Sequence, residues 1–173
     1  METQSIAWPE VTEIRPKVLE CDVVRFQNNK EKWVAFVGIL DGYPYEIFTG
    51  VLDDDDGIAL PKTVVSGYII KNIDEKGQKR YDFQFINRRG YKTTIEGLSE
   101  RFNKEYWNYA KLISGMLRYR MPLQLAIKVV SSLQTDSDNI NSWKDGVAKA
   151  LKRYLPDNSE ASEKTDNIDN ADA

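Results

Sequence analysis

Few residues in this chain could do chemistry, and the most conspicuous is Glu46. It lies in "YPYEIF" (43–48), beside Pro44-Tyr45 and among three aromatics, Tyr43, Tyr45 and Phe48. A carboxylate buried among rings has its charged form disfavoured, and such a group in a cleft can give or take a proton. Strand alternation puts Glu46 and Phe48 on one face and Tyr45 and Ile47 on the other. Pro44 favours an edge strand or the first residue of a strand. That predicts an outer-face, solvated Glu46, and a structural or docking arm formed by Gly42, Pro44, Tyr45, Glu46 and Phe48. A second candidate is "DDDDG" (53–57), which suggests calcium. With Gly57 at the sixth loop position, an EF-hand would begin at Leu52 and end at Thr63, and neither suits its role. A solvated turn is expected there instead.

Two shortages narrow the chemistry further. The chain has no histidine and one cysteine, Cys21. Ser-His-Asp and Cys-His nucleophile systems are therefore excluded, as are zinc sites built from His and Cys. A dithiol pair within the chain is excluded too. Cys21, in "VLECDVV", is expected to be a small buried hydrophobe. No catalytic, cofactor-binding or metal-ligating residue is assigned.

A third candidate is basic. Lys79, Arg80, Arg88, Arg89 and Lys92 surround Tyr81, Phe83, Phe85 and Tyr91. Arginines beside aromatics on a sheet suit single-stranded nucleic acid. The same aromatics alternate with Asp82 and Gln84, as on the core face of a half-buried strand. If they point inward they cannot stack on bases.

The elements that must position these groups can be read from periodicity and turns. "VLECDVVRF" (18–26), "KWVAFVGIL" (32–40) and "YPYEIFTG" (43–50) are short, β-branched and aromatic segments. Asn28-Asn29 and Asp41-Gly42 separate them, which predicts an antiparallel meander. "GYIIKNID" (67–74) and "KRYDFQFINRRG" (79–90) form a second hairpin around "EKGQ". Helices follow. Asn103 caps one running to about Arg120, with a stripe of Tyr106, Trp107, Ala110, Ile113 and Leu117. Pro122 opens a second, reaching about Leu133. Asp138 or Asn139 caps a third, striped by Ile140, Trp143, Val147, Ala150, Leu151 and Tyr154 and ended by Pro156. The expected fold is α+β: an antiparallel sheet of about five strands followed by three helices packed on it.

The 173 residues, 41% hydrophobic and 29% charged, suit one domain with a core. Residues 1–16 read as an extended lead-in, 17–155 as a single domain and 156–173 as a disordered acidic tail. Residues 157–173 carry six acids and one lysine, a net of −5. Subtracting this from the total of −3 leaves about +2 for the remainder. No apolar run approaches a membrane span of ~18 residues and no secretory leader is visible, so a cytoplasmic protein is expected.

Three segments in order carry a resemblance: "RPKVLECDVVRF" from residue 15, "WVAFVGILDGYPYEIFTG" from 33, and "YWNYAKLISGMLRYRMPLQLAIKVVSSL" from 106. They resemble the C-terminal, TSCPD-type region of adenosylcobalamin-dependent (class II) ribonucleotide reductases. The matching positions are Arg15, Pro16 and Leu19; Gly42, Pro44, Glu46 and Phe48; and Lys111, Leu112, Ile113, Leu117, Arg118 and Pro122. Cys21 stands where the family usually has glycine. The family's catalytic barrel, its radical and redox cysteines and its cobalamin-binding elements are missing. The resemblance therefore implies a non-catalytic C-terminal domain or small subunit that docks on a catalytic chain to support deoxyribonucleotide synthesis. Adenosylcobalamin would belong to that partner. The alternative expectation is a freestanding single-strand-binding module using Arg80, Arg88, Arg89 and Lys92.

Overall fold

The computed structural model describes residues 14–134 and 142–156. The acidic tail and most of the lead-in lie outside them. Six strands form one antiparallel sheet: β1 (Val18–Asn28), β2 (Glu31–Leu40), β3 (Tyr43–Val51), β4 (Ser66–Ile73), β5 (Lys79–Ile86) and β6 (Lys92–Ile95). The strand order is β3-β2-β1-β4-β5-β6. Four helices follow: α1 (Leu98–Arg101), α2 (Lys104–Arg118), α3 (Leu123–Ser132) and α4 (Trp143–Lys152). Among the described residues no helix is long and apolar enough to cross a membrane.

The α+β expectation holds, with two additions. Residues 87–90 are not part of a long fifth strand. They form a turn in which Asn87 Oδ1 accepts from the Arg89 and Tyr91 amides, and the short β6 returns along β5. One turn of helix, α1, then precedes α2. The Asp41-Gly42 turn has positive φ at both residues, 54° and 77°, as a two-residue type I′ hairpin requires. Asn103 caps α2 as expected, accepting from the amides of Glu105 and Tyr106. The cap of α4 is Ser142, not Asp138 or Asn139, and it forms a capping box with Asp145. Residues 138 and 139 lie outside the described residues.

The sheet is covered on both faces. Val24, Phe26, Trp33, Ala35, Val37 and Ile47 meet α2, α3 and α4 in one core. Trp143 of α4 is buried, and its indole Nε1 donates to Thr49 Oγ1 at 2.8 Å. The opposite face, with Cys21, Val23, Val34, Phe36 and Phe48, is closed by β5, by Ile58 and Val64 of the β3–β4 loop, and by Leu98, Phe102 and Trp107 from the start of the helical region. The rings of Phe36 on β2 and Phe83 on β5 lie 4.5 Å apart. In a flat sheet β2 and β5 would be three strand spacings apart, about 14 Å. The sheet must therefore curl so that β4 and β5 fold over the first three strands. Phe48 of β3 likewise reaches Tyr81 of β5, with ring centroids 5.0 Å apart.

Candidate functional site

The mouth of this curl holds the group singled out from the sequence, in a different setting from the expected one. Cys21, Gly38 and Glu46 are register partners in a row across β1, β2 and β3, and Gly67 extends the row on β4. The glycine at 38 makes room for Glu46: a Cβ there would lie 2.7 Å from Glu46 Cγ. Glu46 is 1% exposed, so the expectation of a solvated outer-face carboxylate is corrected. Its partner comes from the lead-in. Arg15 Nε donates to Glu46 Oε2 at 2.9 Å, and Nη2 donates to Oε1 at 2.6 Å. The two side chains are 4% and 1% exposed. This is a buried bidentate pair, the geometry in which a guanidinium best satisfies a carboxylate. The third guanidinium nitrogen, Nη1, donates to the carbonyls of Pro16 and Lys17. The Arg15 guanidinium also lies 5.6 Å from the centroid of Tyr81.

The edge of β3 is closed in the same region. Ser114 of α2 donates its hydroxyl to the Ile47 carbonyl (3.1 Å) and accepts from the Ile47 amide (3.0 Å). One side chain thus satisfies both outward-facing backbone groups of an edge strand. Of the docking candidates, Pro44, Tyr45, Glu46 and Phe48 are buried, and Gly42 alone is exposed, in its turn. β3 is an edge strand as Pro44 suggested, but α2 covers it, so it is not a free surface for a partner. Ser114→Ala would leave the Ile47 amide and carbonyl unpaired. An expected loss of about 1–3 kcal/mol, measured by urea unfolding, checks this.

Beside the ion pair a cavity of about 410 Å³ opens between β3, β5 and α2. Glu46, Tyr81, Trp107, Lys79, Lys111 and Arg118 are among its lining residues. Arg118 stacks its guanidinium 5.2 Å from the centroid of Tyr45. The field here is positive. Lys71 has its pKa lowered, first by burial and then by the charges of Lys79, Arg15 and Arg118. Tyr81 has its pKa raised, first by burial and then by Glu46. The three segments that carry the family resemblance meet here: Arg15 from the first, Glu46 and Phe48 from the second, Lys111 and Arg118 from the third. Sequence reasoning missed the pairing of Arg15 with Glu46. The signal was that a lone carboxylate in an apolar strand needs a cation, and Arg15 was an available one.

The other candidates are placed as follows. Cys21 is 2% exposed, as expected for a packing residue. Its pKa is raised well above the ordinary range, first by burial and then by Glu46 and Asp22. Asp53 to Asp56 form an exposed turn in which Asp53 Oδ1 accepts from the amides of Asp55 and Asp56. No acidic, histidine or cysteine cluster suited to a metal occurs among the described residues. In the basic hairpin Phe83 and Phe85 are buried, 0% and 4% exposed, so neither ring can stack on a base. Arg80 is engaged with Asp82, through Nε at 3.1 Å and Nη2 at 3.0 Å. Arg88, Arg89 and Lys92 are exposed around the β5–β6 turn. Asp82, expected on a polar outer face, is buried and accepts from Asn72, Arg80 and the Gly97 amide.

No curated protein and no solved structure matches the chain. The family described as the NrdJ homologue C-terminal domain matches over residues 19–156, from β1 through the end of α4. The match covers most of the chain, including β3, β5 and α2 around the Glu46 cavity, so this chain belongs to the NrdJ homologue C-terminal domain family and is related to the C-terminal domain of class II ribonucleotide reductases.

Proposed function

We propose that this chain is a non-catalytic C-terminal domain or small subunit serving a class II ribonucleotide reductase, which it supports by docking on the catalytic chain. The family match carries the reading. The chemistry of the chain supports it. Ribonucleotide reduction draws on a thiyl radical and a dithiol donor, and this sequence has one thiol and no imidazole. That thiol is packed under the curled sheet, with its ionised form disfavoured. Nor do the residues around Glu46 fit the cofactor of the class. A cavity of about 410 Å³ is far too small to enclose a corrinoid. As the resemblance implies, we assign adenosylcobalamin to the catalytic chain, and no step of the reaction is assigned to residues of this one.

The contribution left to this chain is surface and position. With β3 covered by α2, exposed apolar side chains such as Leu125 and Val129 on α3 offer a docking face instead. The inertness of the thiol is tested by alkylation. Iodoacetamide at pH 8 is expected to leave Cys21 unmodified in the folded chain and to modify it fully in denaturant. The purified chain, given cobalamin and a reductant, is expected to reduce no ribonucleotide. Rapid native labelling together with turnover would overturn the non-catalytic reading.

A further inference from the structure

We propose that the cavity between α2 and β5 is an anion site for a small phosphate compound, held by Arg118, Lys111 and Lys79. The lining supplies three cations, and its one carboxylate, Glu46, already has both oxygens bound to Arg15. The positive lining is therefore uncompensated from within.

Arg118 makes the case specific. Its Nε is buried and has no hydrogen-bond partner. Buried donors are nearly always satisfied in folded proteins, so an arginine that lines the cavity and carries an orphaned Nε–H is short of an acceptor within the described chain. The Tyr45 ring fixes the plane of that guanidinium, so its donors are oriented before a ligand arrives. The lowered pKa of Lys71 reports the same positive field. A phosphate fits better than a carboxylate: it brings up to two negative charges and three terminal oxygens to cations that reach the cavity from both α2 and β5. The volume has space for phosphate with a small organic group attached. This site does not depend on the docking reading, and either can fail alone.

The test follows the arginine Nε–H signals of the full chain by ¹⁵N NMR at low salt. The probes are inorganic pyrophosphate, adenosine 5′-monophosphate, and adenosine as the uncharged control. Arg118 Nε–H should shift saturably with both phosphates and not with adenosine. Arg118→Gln should weaken binding about tenfold or more by calorimetry. Lys111→Gln alters an exposed side chain, so the fold should be retained, and it should weaken binding several-fold while lowering its salt dependence. The proposal is overturned by no saturable shift up to about 10 mM phosphate compound. It is equally overturned by adenosine binding as tightly as its monophosphate, or by both variants binding as well as the unmodified chain.

Discussion

Arg15→Ala should destabilise the fold by about 3–5 kcal/mol, the range for removing one partner of a buried ion pair. The loss comes less from the attraction forfeited than from what is left behind. Glu46 is 1% exposed and accepts both of its hydrogen bonds from Arg15. Without the guanidinium the carboxylate is left beside the Tyr81 and Phe48 rings with both of its hydrogen bonds lost. The double variant Arg15→Ala plus Glu46→Gln should recover part of the loss, because a neutral amide is cheaper to bury than a charge. Urea unfolding of the two variants checks both statements. A single-variant loss below about 1 kcal/mol, the size of an exposed pair, would mean that the pair is solvated.

Phe36→Ala should cost about 3–5 kcal/mol and also open the site. Phe36 is 0% exposed and packs against Phe83 at 4.5 Å and Phe102 at 6.2 Å. These contacts hold β5 over the first three strands. The curl in turn brings Tyr81 and Lys79 to the same cavity as Glu46. Truncating the ring should therefore speed amide exchange along β5 more than along β2, in addition to lowering the unfolding midpoint. A small loss with unchanged exchange at Tyr81 to Phe85 would show that the curl is held by something else.

Much of the fold could be read from the sequence because its signals are local. Asp41-Gly42 has the residues a type I′ turn requires. Asn103 precedes a clear apolar stripe. The strands alternate or run apolar within a few residues of the turns that bound them. The failures share a different origin. β6 is four residues long, beyond the residue-90 end read for the preceding strand and too short for alternation to show, while α1 is a single turn with no period to detect. Several cap-competent residues precede Trp143, and only the reciprocal bond between Ser142 and Asp145 distinguishes the one used. Alternation, together with Pro44 for Glu46, assigns Glu46 and Asp82 to outer faces because it assumes a sheet with one wet side. Here each is buried among partners that one strand's pattern cannot reveal: Arg15 lies 31 residues away from Glu46, and the Gly97 amide 15 from Asp82. The curl is a product of ring contacts between strands that are not neighbours. The resemblance identified the relevant segments, and their convergence on one cavity became visible only in three dimensions.

The central claim is that this chain works by attachment to a class II catalytic chain. Its most direct test is sedimentation or size-exclusion of the purified chain mixed with a class II ribonucleotide reductase chain that lacks this region. The account predicts a stoichiometric complex that withstands moderate salt. Separate elution of the two at micromolar concentration, with reductase activity indifferent to the added chain, would contradict it.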